Sequence, residues 1–275
     1  LATDPDADRL GVYAKDTKTG EYIAFTGNMS GMLILEYQLA QRKAIGTLPK
    51  NGAVVTTIVS GKMAREITKA YQVELIETLT GFKYIGEQIK LFEKNGSHEF
   101  VFGYEESYGC LVGTHARDKD AIVAVMALGE TAAYCKSRGM TLCDKMDELF
   151  KDYGYFKEEL CTITLKGQDG AKRIEAMMEN IRWDVPKEIG GLPVMQFRDY
   201  QKDVKIDMTD GKKSITGLPK SNVLYFELEK GAWCCIRPSG TEPKIKFYIG
   251  VRGVNEEDAD MRLRSLTKAL EKLAG

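Results

Sequence analysis

The chain has 275 residues, with 39 lysines and arginines against 40 aspartates and glutamates, for a formal net charge of −1. That length can bury more than one core, so two or more domains are expected. Charges of both signs are scattered with no basic stripe, which argues against nucleic-acid binding, and no apolar run approaches the ~18 residues of a membrane-crossing helix.

The N-terminus shows no charged region followed by an apolar one, so no secretory leader is read there. Six cysteines, Cys110, Cys135, Cys143, Cys161, Cys234 and Cys235, lack metal-type pairing. Reduced thiols in a cytoplasmic enzyme are expected. Cys234 and Cys235 share one strand and should face opposite sides.

The chain opens on an acidic stretch, Thr3-Asp4-Pro5-Asp6-Ala7-Asp8-Arg9-Leu10-Gly11, ahead of an apolar run at residues 10–14. Three alternating carboxylates repel one another unless a cation compensates. Oxygen-only donors suit a hard ion such as Mg²⁺. A calcium loop fails on spacing, because Arg9 stands where its glycine belongs and Lys15 where its glutamate belongs. A solvated acidic turn is the competing reading.

Residues 28–42 place Met32, Leu33, Leu35, Glu36 and Leu39 at near-helical spacing, with Asn28 or Ser30 as the expected cap. A linker with Pro49 and Gly52 follows. Strands are then expected at 53–59, 73–77 and 99–104, alternating with helices at 62–71, 84–94, 119–136 and 141–151. Strand–helix alternation argues for a layered sheet with helices on its faces.

Between strand 99–104 and the next helix lies Phe102-Gly103-Tyr104-Glu105-Glu106-Ser107-Tyr108-Gly109. Loops after strands of α/β layers are where ligands bind. Adjacent carboxylates, a hydroxyl and flanking tyrosines suit a sugar, although an acidic loop without ligand has the same composition.

After residue 152 the character changes. A long half-buried strand is expected at 155–165, a helix at 171–180, a hairpin or surface loop at 201–219, and an amphipathic helix at 256–273. This grouping suggests a smaller α+β domain with an antiparallel sheet. Strands at 223–228, 232–236 and 244–251 bracket Arg237-Pro238-Ser239-Gly240-Thr241-Glu242-Pro243-Lys244. Gly240 would permit a sharp turn presenting backbone N–H groups. Ser239 and Thr241 add hydroxyls, and Arg237 adds a fork matched to phosphate. The alternatives are a phosphate grip and an ordinary polar hairpin.

Taken together, these loops describe metal-assisted phosphoryl transfer on a phosphorylated sugar. The acidic stretch, Leu79-Thr80-Gly81-Phe82-Lys83, the Gly103–Gly109 run, Arg117-Asp118-Lys119-Asp120 and the Arg237–Lys244 run occur in the order of one family. The chain closely resembles the α-D-phosphohexomutases, in particular the phosphoglucomutase branch with its phosphopentomutase-like members. The glutamate-serine loop lacks the histidine usual in mannose and glucosamine branches.

The resemblance implies that Asp4, Asp6 and Asp8 hold Mg²⁺ and that Arg9 points at the transferred phosphoryl group. It implies that Glu105 and Ser107 read sugar hydroxyls, with Thr80 and Gly81 on the other side and Glu106 turned away or paired with a cation. Lys119 becomes a candidate proton shuttle, which requires a lowered pKa if it is to act as a base. Arg237, Ser239, Gly240 and Thr241 would hold the other phosphate, with Lys246 as a second cation. His98 and His115 carry no motif and are read as structural.

The family's serine nucleophile, in a Thr-Ala-Ser-His-Asn-Pro-like loop, has no counterpart here. The expectation is therefore a C-terminal part: residues 1–45 a remnant of a second α/β domain carrying the metal loop, 46–152 the sugar-binding domain, and 153–275 the phosphate-binding domain. Its implied partners are a small-molecule sugar phosphate and the missing N-terminal domains of the same protein, with no nucleic acid and no membrane. The implied reaction converts hexose 1-phosphate and 6-phosphate through an enzyme phosphoserine and a hexose 1,6-bisphosphate. A non-catalytic sugar-phosphate-binding module is the alternative.

Overall fold

A computed structural model describes residues 1–165, 167–240 and 242–273 of the chain. It divides into two compact units, Leu1–Tyr153 and Gly154–Gly275.

The first unit begins with an antiparallel sheet of β1 (Ala2–Thr3), β2 (Leu10–Lys15) and β3 (Tyr22–Phe25). In β2, Leu10 and Val12 are buried while Gly11 and Tyr13 are exposed, the period-2 pattern of a sheet with one wet face. Helix α1 (Gly27–Ala44) follows. Its cap is Thr26, whose hydroxyl accepts from Met29 N–H at 3.2 Å, rather than Asn28 or Ser30. Asn28 is instead turned inward, where Oδ1 accepts from Gly61 N–H at 2.9 Å. Residues 1–45, expected to be a remnant of a preceding domain, pack inside this unit because α1 is buried along most of its length.

The layered sheet comprises β4 (Gly52–Thr57), β5 (Glu74–Thr78), β6 (Glu99–Tyr104) and β7 (Cys110–Val112). Its strands run in the order β5-β4-β6-β7. β4 lies parallel to β5 and β6, and β7 is antiparallel. All residues of β4 are buried, as a central parallel strand requires. Helices α2 (Met63–Tyr71), α3 (Phe82–Asn95), α4 (Ala121–Ser137) and α5 (Leu142–Tyr153) complete the unit. The loops at 58–62, 79–81 and 105–109 therefore all leave the carboxyl ends of parallel strands, the edge where such sheets bind ligands.

The second unit is an antiparallel sheet covered on one face by α6 (Gly167–Trp183) and α7 (Glu256–Leu273). Its strands are β8 (Tyr155–Thr164), β9 (Glu188–Ile189), β10 (Leu192–Asp199), β11 (Val204–Asp207), β12 (Lys213–Ser214), β13 (Leu224–Leu228), β14 (Trp233–Pro238) and β15 (Lys244–Gly253). The order is β12-β11-β10-β13-β14-β15-β8, with β9 paired to β10. Residues 201–219 form the hairpin β11–β12, anchored by Ile206 and Met208 against the core.

Ile174, Met178, Leu266 and Leu270 of the helices pack on Phe226, Ile236, Phe247 and Ile249 of the sheet. Cys234 joins this core, whereas Cys235 points to the other face opposite Tyr225 and Tyr248. The cysteines are free thiols. Among the described residues no helix is long and apolar enough to cross a membrane.

Candidate functional site

In the first unit, backbone hydrogen bonds lace three distant segments together. Leu10 N–H donates to Tyr108 O at 3.1 Å, and Arg9 and Gly109 form an isolated antiparallel bridge. Ala121 N–H donates to Ala7 O at 3.0 Å, and Asp120 N–H to Cys110 O at 2.9 Å. The acidic loop, the 105–109 loop and the start of α4 thus form one surface. Ala7 (φ 53°) and Tyr108 (φ 73°) both adopt the left-handed conformation, a local strain that persists where surrounding contacts enforce it.

Within the acidic loop, Asp4 Oδ1 accepts from the N–H groups of Asp8 and Arg9, both at 3.2 Å. Desolvation opposes its ionisation. The backbone N–H groups of Arg9 and Asp8, with the adjoining Asp8 carboxyl, nevertheless hold Asp4 below the usual carboxylate range. Asp8 Oδ2 lies 3.0 Å from the Lys119 ammonium, and Arg9 Nε is 3.8 Å from Asp8 Oδ1. Asp6 stays exposed.

The fit to a hard cation is partial. The donors are all oxygen, and Asp8 Oδ1 is buried without a hydrogen-bond partner, which is what an ion would relieve. Yet no group of three such side chains converges among the described residues. Asp4 is committed to the backbone and Asp8 to Lys119, so the expected three-aspartate set is not assembled.

Lys119 does not have the lowered pKa that acting as a base would require. Burial works against its charge, but hydrogen bonds to Asp118 and Asp8, each at 3.0 Å, raise its pKa above that of an ordinary lysine. It is an ammonium, able to donate a proton or stabilise an anion but not to act as a resting base. Gly109 makes room for it, since a Cβ there would lie 2.1 Å from Lys119 Cδ.

Glu105 and Gly81, expected on opposite sides of a sugar, meet by a direct bond. The Gly81 N–H donates to Glu105 Oε1 at 2.8 Å. Glu105 is 6% exposed. Its burial raises the carboxyl pKa against the lowering effects of Gly81 N–H, Lys119 and Arg9. Ser107 and Thr80 are half-buried beside it. Glu106 is half-buried, and its Oε2 accepts from the Thr57 hydroxyl at 3.0 Å.

Sequence reasoning missed Thr57 and Ser60, because it ran the strand on to Val59. The Ser60-Gly61 pair is the turn signal that could have stopped it. His115 Nε2 meets Asp120 Oδ2 at 2.9 Å and His98 lies between Ser97 and Glu74, so both histidines have structural partners.

In the second unit, Arg237 on β14 stands directly opposite Lys246 on β15, and Lys246 stands opposite Thr162 on β8. Neither cation has an acidic partner among the described residues. Like charges directly opposite repel, so the pair favours a multiply charged anion. The turn is braced by Ser239 N–H to Lys244 O at 2.8 Å and by Glu242 N–H to Ser239 Oγ at 3.3 Å. The Ser239 hydroxyl oxygen therefore accepts within the turn rather than standing wholly free.

Gly240 corrects the sequence reading. It has no positive φ and nothing lies within 4 Å of where its Cβ would be. The turn itself does not demand glycine. Thr241 lies outside the described residues.

Residues 26–153 match the domain family described as phosphoglucomutase/phosphomannomutase, alpha/beta/alpha domain III. The chain is 37% identical over 251 residues to a phosphoglucomutase from Staphylococcus epidermidis, an alignment covering 91% of the chain and 44% of that protein. The chain thus spans less than half the length of this relative. Among solved structures it is similar to the open form of parafusin, a phosphoglucomutase from Paramecium, with a TM-score of 0.64 and 18% identity, covering 99% of this chain and 44% of that one. It is also similar to an N-acetylphosphoglucosamine mutase from Aspergillus fumigatus in complex with GlcNAc-6P and magnesium. That match has a TM-score of 0.53 and 15% identity, over 100% of this chain and 48% of that one. At such identities the structural likeness bears on the fold alone.

Proposed function

The chain belongs to the α-D-phosphohexomutase family, and from that premise we propose that it is the C-terminal part of a phosphoglucomutase-type enzyme interconverting hexose 1-phosphate and 6-phosphate. In this reading a phosphoserine on an upstream segment gives its phosphoryl group to the sugar. The serine O–P bond breaks as a sugar O–P bond forms. The resulting hexose 1,6-bisphosphate reorients, and its other phosphoryl group returns to the serine.

The observation that supports this most is the cross-strand couple of Arg237 and Lys246, neither with an acidic partner among the described residues. Such a grip reads charge and tetrahedral oxygens rather than the sugar, so it can hold either end of the molecule. Ser239, Gly240 and Thr241 would complete it.

In the first unit, Ser107, Thr80 and the Glu105–Gly81 pair would meet sugar hydroxyls. Arg9 would face the transferred group, and Lys119 would supply a proton to the departing oxygen. Asp4, Asp6 and Asp8 are the residues that would hold Mg²⁺, which neutralises charge developing on a transferred phosphoryl group. The chain by itself is proposed to be inactive, because it has no serine-histidine loop of the family type.

The test is a panel of glucose, mannose, glucosamine and pentose phosphates. It should be run with catalytic hexose bisphosphate on a protein carrying this chain at its relatives' full length. Turnover with a preference for glucose phosphate is expected. Binding without turnover on any sugar would leave a non-catalytic sugar-phosphate-binding module instead.

A further inference from the structure

We infer that Thr57 is a positioning residue for the 105–109 loop, acting through the Glu106 carboxylate. The inference rests on the proposal that Glu105 and Ser107 meet the sugar. β4 delivers Thr57 fully buried at its carboxyl end. Each proton in the cluster can be placed. A hydroxyl has one proton, and a carboxylate only accepts. The Thr57 hydroxyl therefore donates to Glu106 Oε2 at 3.0 Å, and its oxygen accepts from Ser60 Oγ at 3.0 Å and Val59 N–H at 3.3 Å. Ser60 Oγ in turn accepts from Thr57 N–H at 3.2 Å.

The turn carrying these groups is itself fixed to α1, through Gly61 N–H and Asn28 Oδ1 at 2.9 Å. Glu106 is also held from its backbone side. A Cβ on Gly27 would lie 2.2 Å from Glu106 O and 2.6 Å from Tyr108 N, so the loop backbone rests directly on the first residue of α1. Glu106 is thus clamped at both its side chain and its carbonyl. Its neighbours, Glu105 and Ser107, take their orientation from the same two peptide units. Without the Thr57 hydroxyl, a half-buried carboxylate loses one buried hydrogen-bond donor, and the loop gains freedom where the strained Tyr108 already favours rearrangement.

The test compares wild type, Thr57→Val, Thr57→Ser, Glu106→Ala and the Thr57→Val/Glu106→Ala double variant. Amide exchange is measured across residues 105–109, and calorimetry measures glucose 6-phosphate binding. Thr57→Val keeps shape and loses the hydroxyl. It should speed exchange at 105–109 about tenfold, the loss of one charged hydrogen bond, with protection in β4 unchanged. Thr57→Ser should retain wild-type exchange, and the double variant should exchange no faster than Glu106→Ala alone. Unchanged exchange in Thr57→Val, or additive effects in the double variant, would overturn the inference. If Thr57→Val does not fold, faster exchange in Glu106→Ala beside unchanged Thr57→Ser supports it, and slow exchange in Glu106→Ala defeats it. Exchange that responds as expected in a chain whose wild type ignores glucose 6-phosphate would sink the sugar reading while leaving Thr57 in its role.

Discussion

The Lys119 ammonium stands 3.0 Å from Asp8 Oδ2, and this pair ties the segment before α4 to the acidic loop. Only 12% of the Lys119 side chain is exposed. A charge so enclosed keeps its proton while carboxylates face it, which sets its chemistry as donor and electrostatic clamp. It also means that any cation entering the loop competes with a resident one.

Magnesium should therefore bind the chain weakly. Asp4 is spent on two backbone N–H groups and Asp8 on Lys119, so an ion must displace both ties. A dissociation constant no tighter than about 1 mM, about 4 kcal/mol of binding, is expected by calorimetry at pH 7. Micromolar affinity for Mg²⁺ would show that the loop reorganises at little cost.

Acid should loosen the first unit through Glu77. Burial pushes its pKa up, but Lys62 and Arg65, each at 2.6 Å, outweigh that and bring it down from 4.5 to about 2. A depressed carboxyl pKa stabilises fully above its unfolded value, and that stability drains away as pH falls from 4.5 toward 2. The contribution near neutrality is on the order of 3 kcal/mol. Glu77→Gln should lower the urea midpoint markedly at pH 7, and the gap to wild type should close as pH approaches 2.5. A gap independent of pH would mean that the ion pairs are not its cause.

Gly27→Ala should destabilise despite alanine's better helix propensity. The new Cβ would meet backbone atoms of Glu106 and Tyr108 at 2.2 and 2.6 Å, and backbone cannot swing aside as a side-chain tip can. Overpacking costs about 1–3 kcal/mol, against a propensity gain of at most about 1. A fall of several degrees in Tm is expected. An unchanged or raised Tm would place the 105–109 loop further from α1.

What could be read from the sequence was local. Periodicity located α1 through α5 and the parallel strands β4, β5 and β6, because each pattern repeats within one element, whereas the three-residue β7 is too short to show one. The chemistry-bearing loops also stood out, since Asp4, Asp6, Asp8, Glu105 and Arg237 cluster within short runs. Partners distant in the chain were not legible. Nothing near Lys119 shows that Asp8 faces it, and so the raised pKa that rules out a base role is not legible. Nothing near Glu105 shows that Gly81 N–H takes one of its oxygens. Thr57 looked like one more β-branched strand residue until the fold brought Glu106 to it. Gly240 was overread, since a glycine in a turn suggests a conformational need that its φ does not bear out.

Arg237→Lys tests the phosphate grip most directly. The substitution keeps the charge opposite Lys246 but loses the planar fork that meets two phosphate oxygens at once. Binding of sugar phosphate should weaken by roughly 1–3 kcal/mol, the range of a charged hydrogen bond. Stability should hold, since Arg237 is only half-buried and has no acidic partner to strand among the described residues. Because the pair reads phosphate rather than sugar, affinity for glucose 1-phosphate and glucose 6-phosphate should fall together when both are titrated into wild type and variant. A loss confined to one of them would mean that the grip distinguishes the ends of the sugar, and a large drop in Tm with binding intact would make Arg237 a structural residue of the β14–β15 turn.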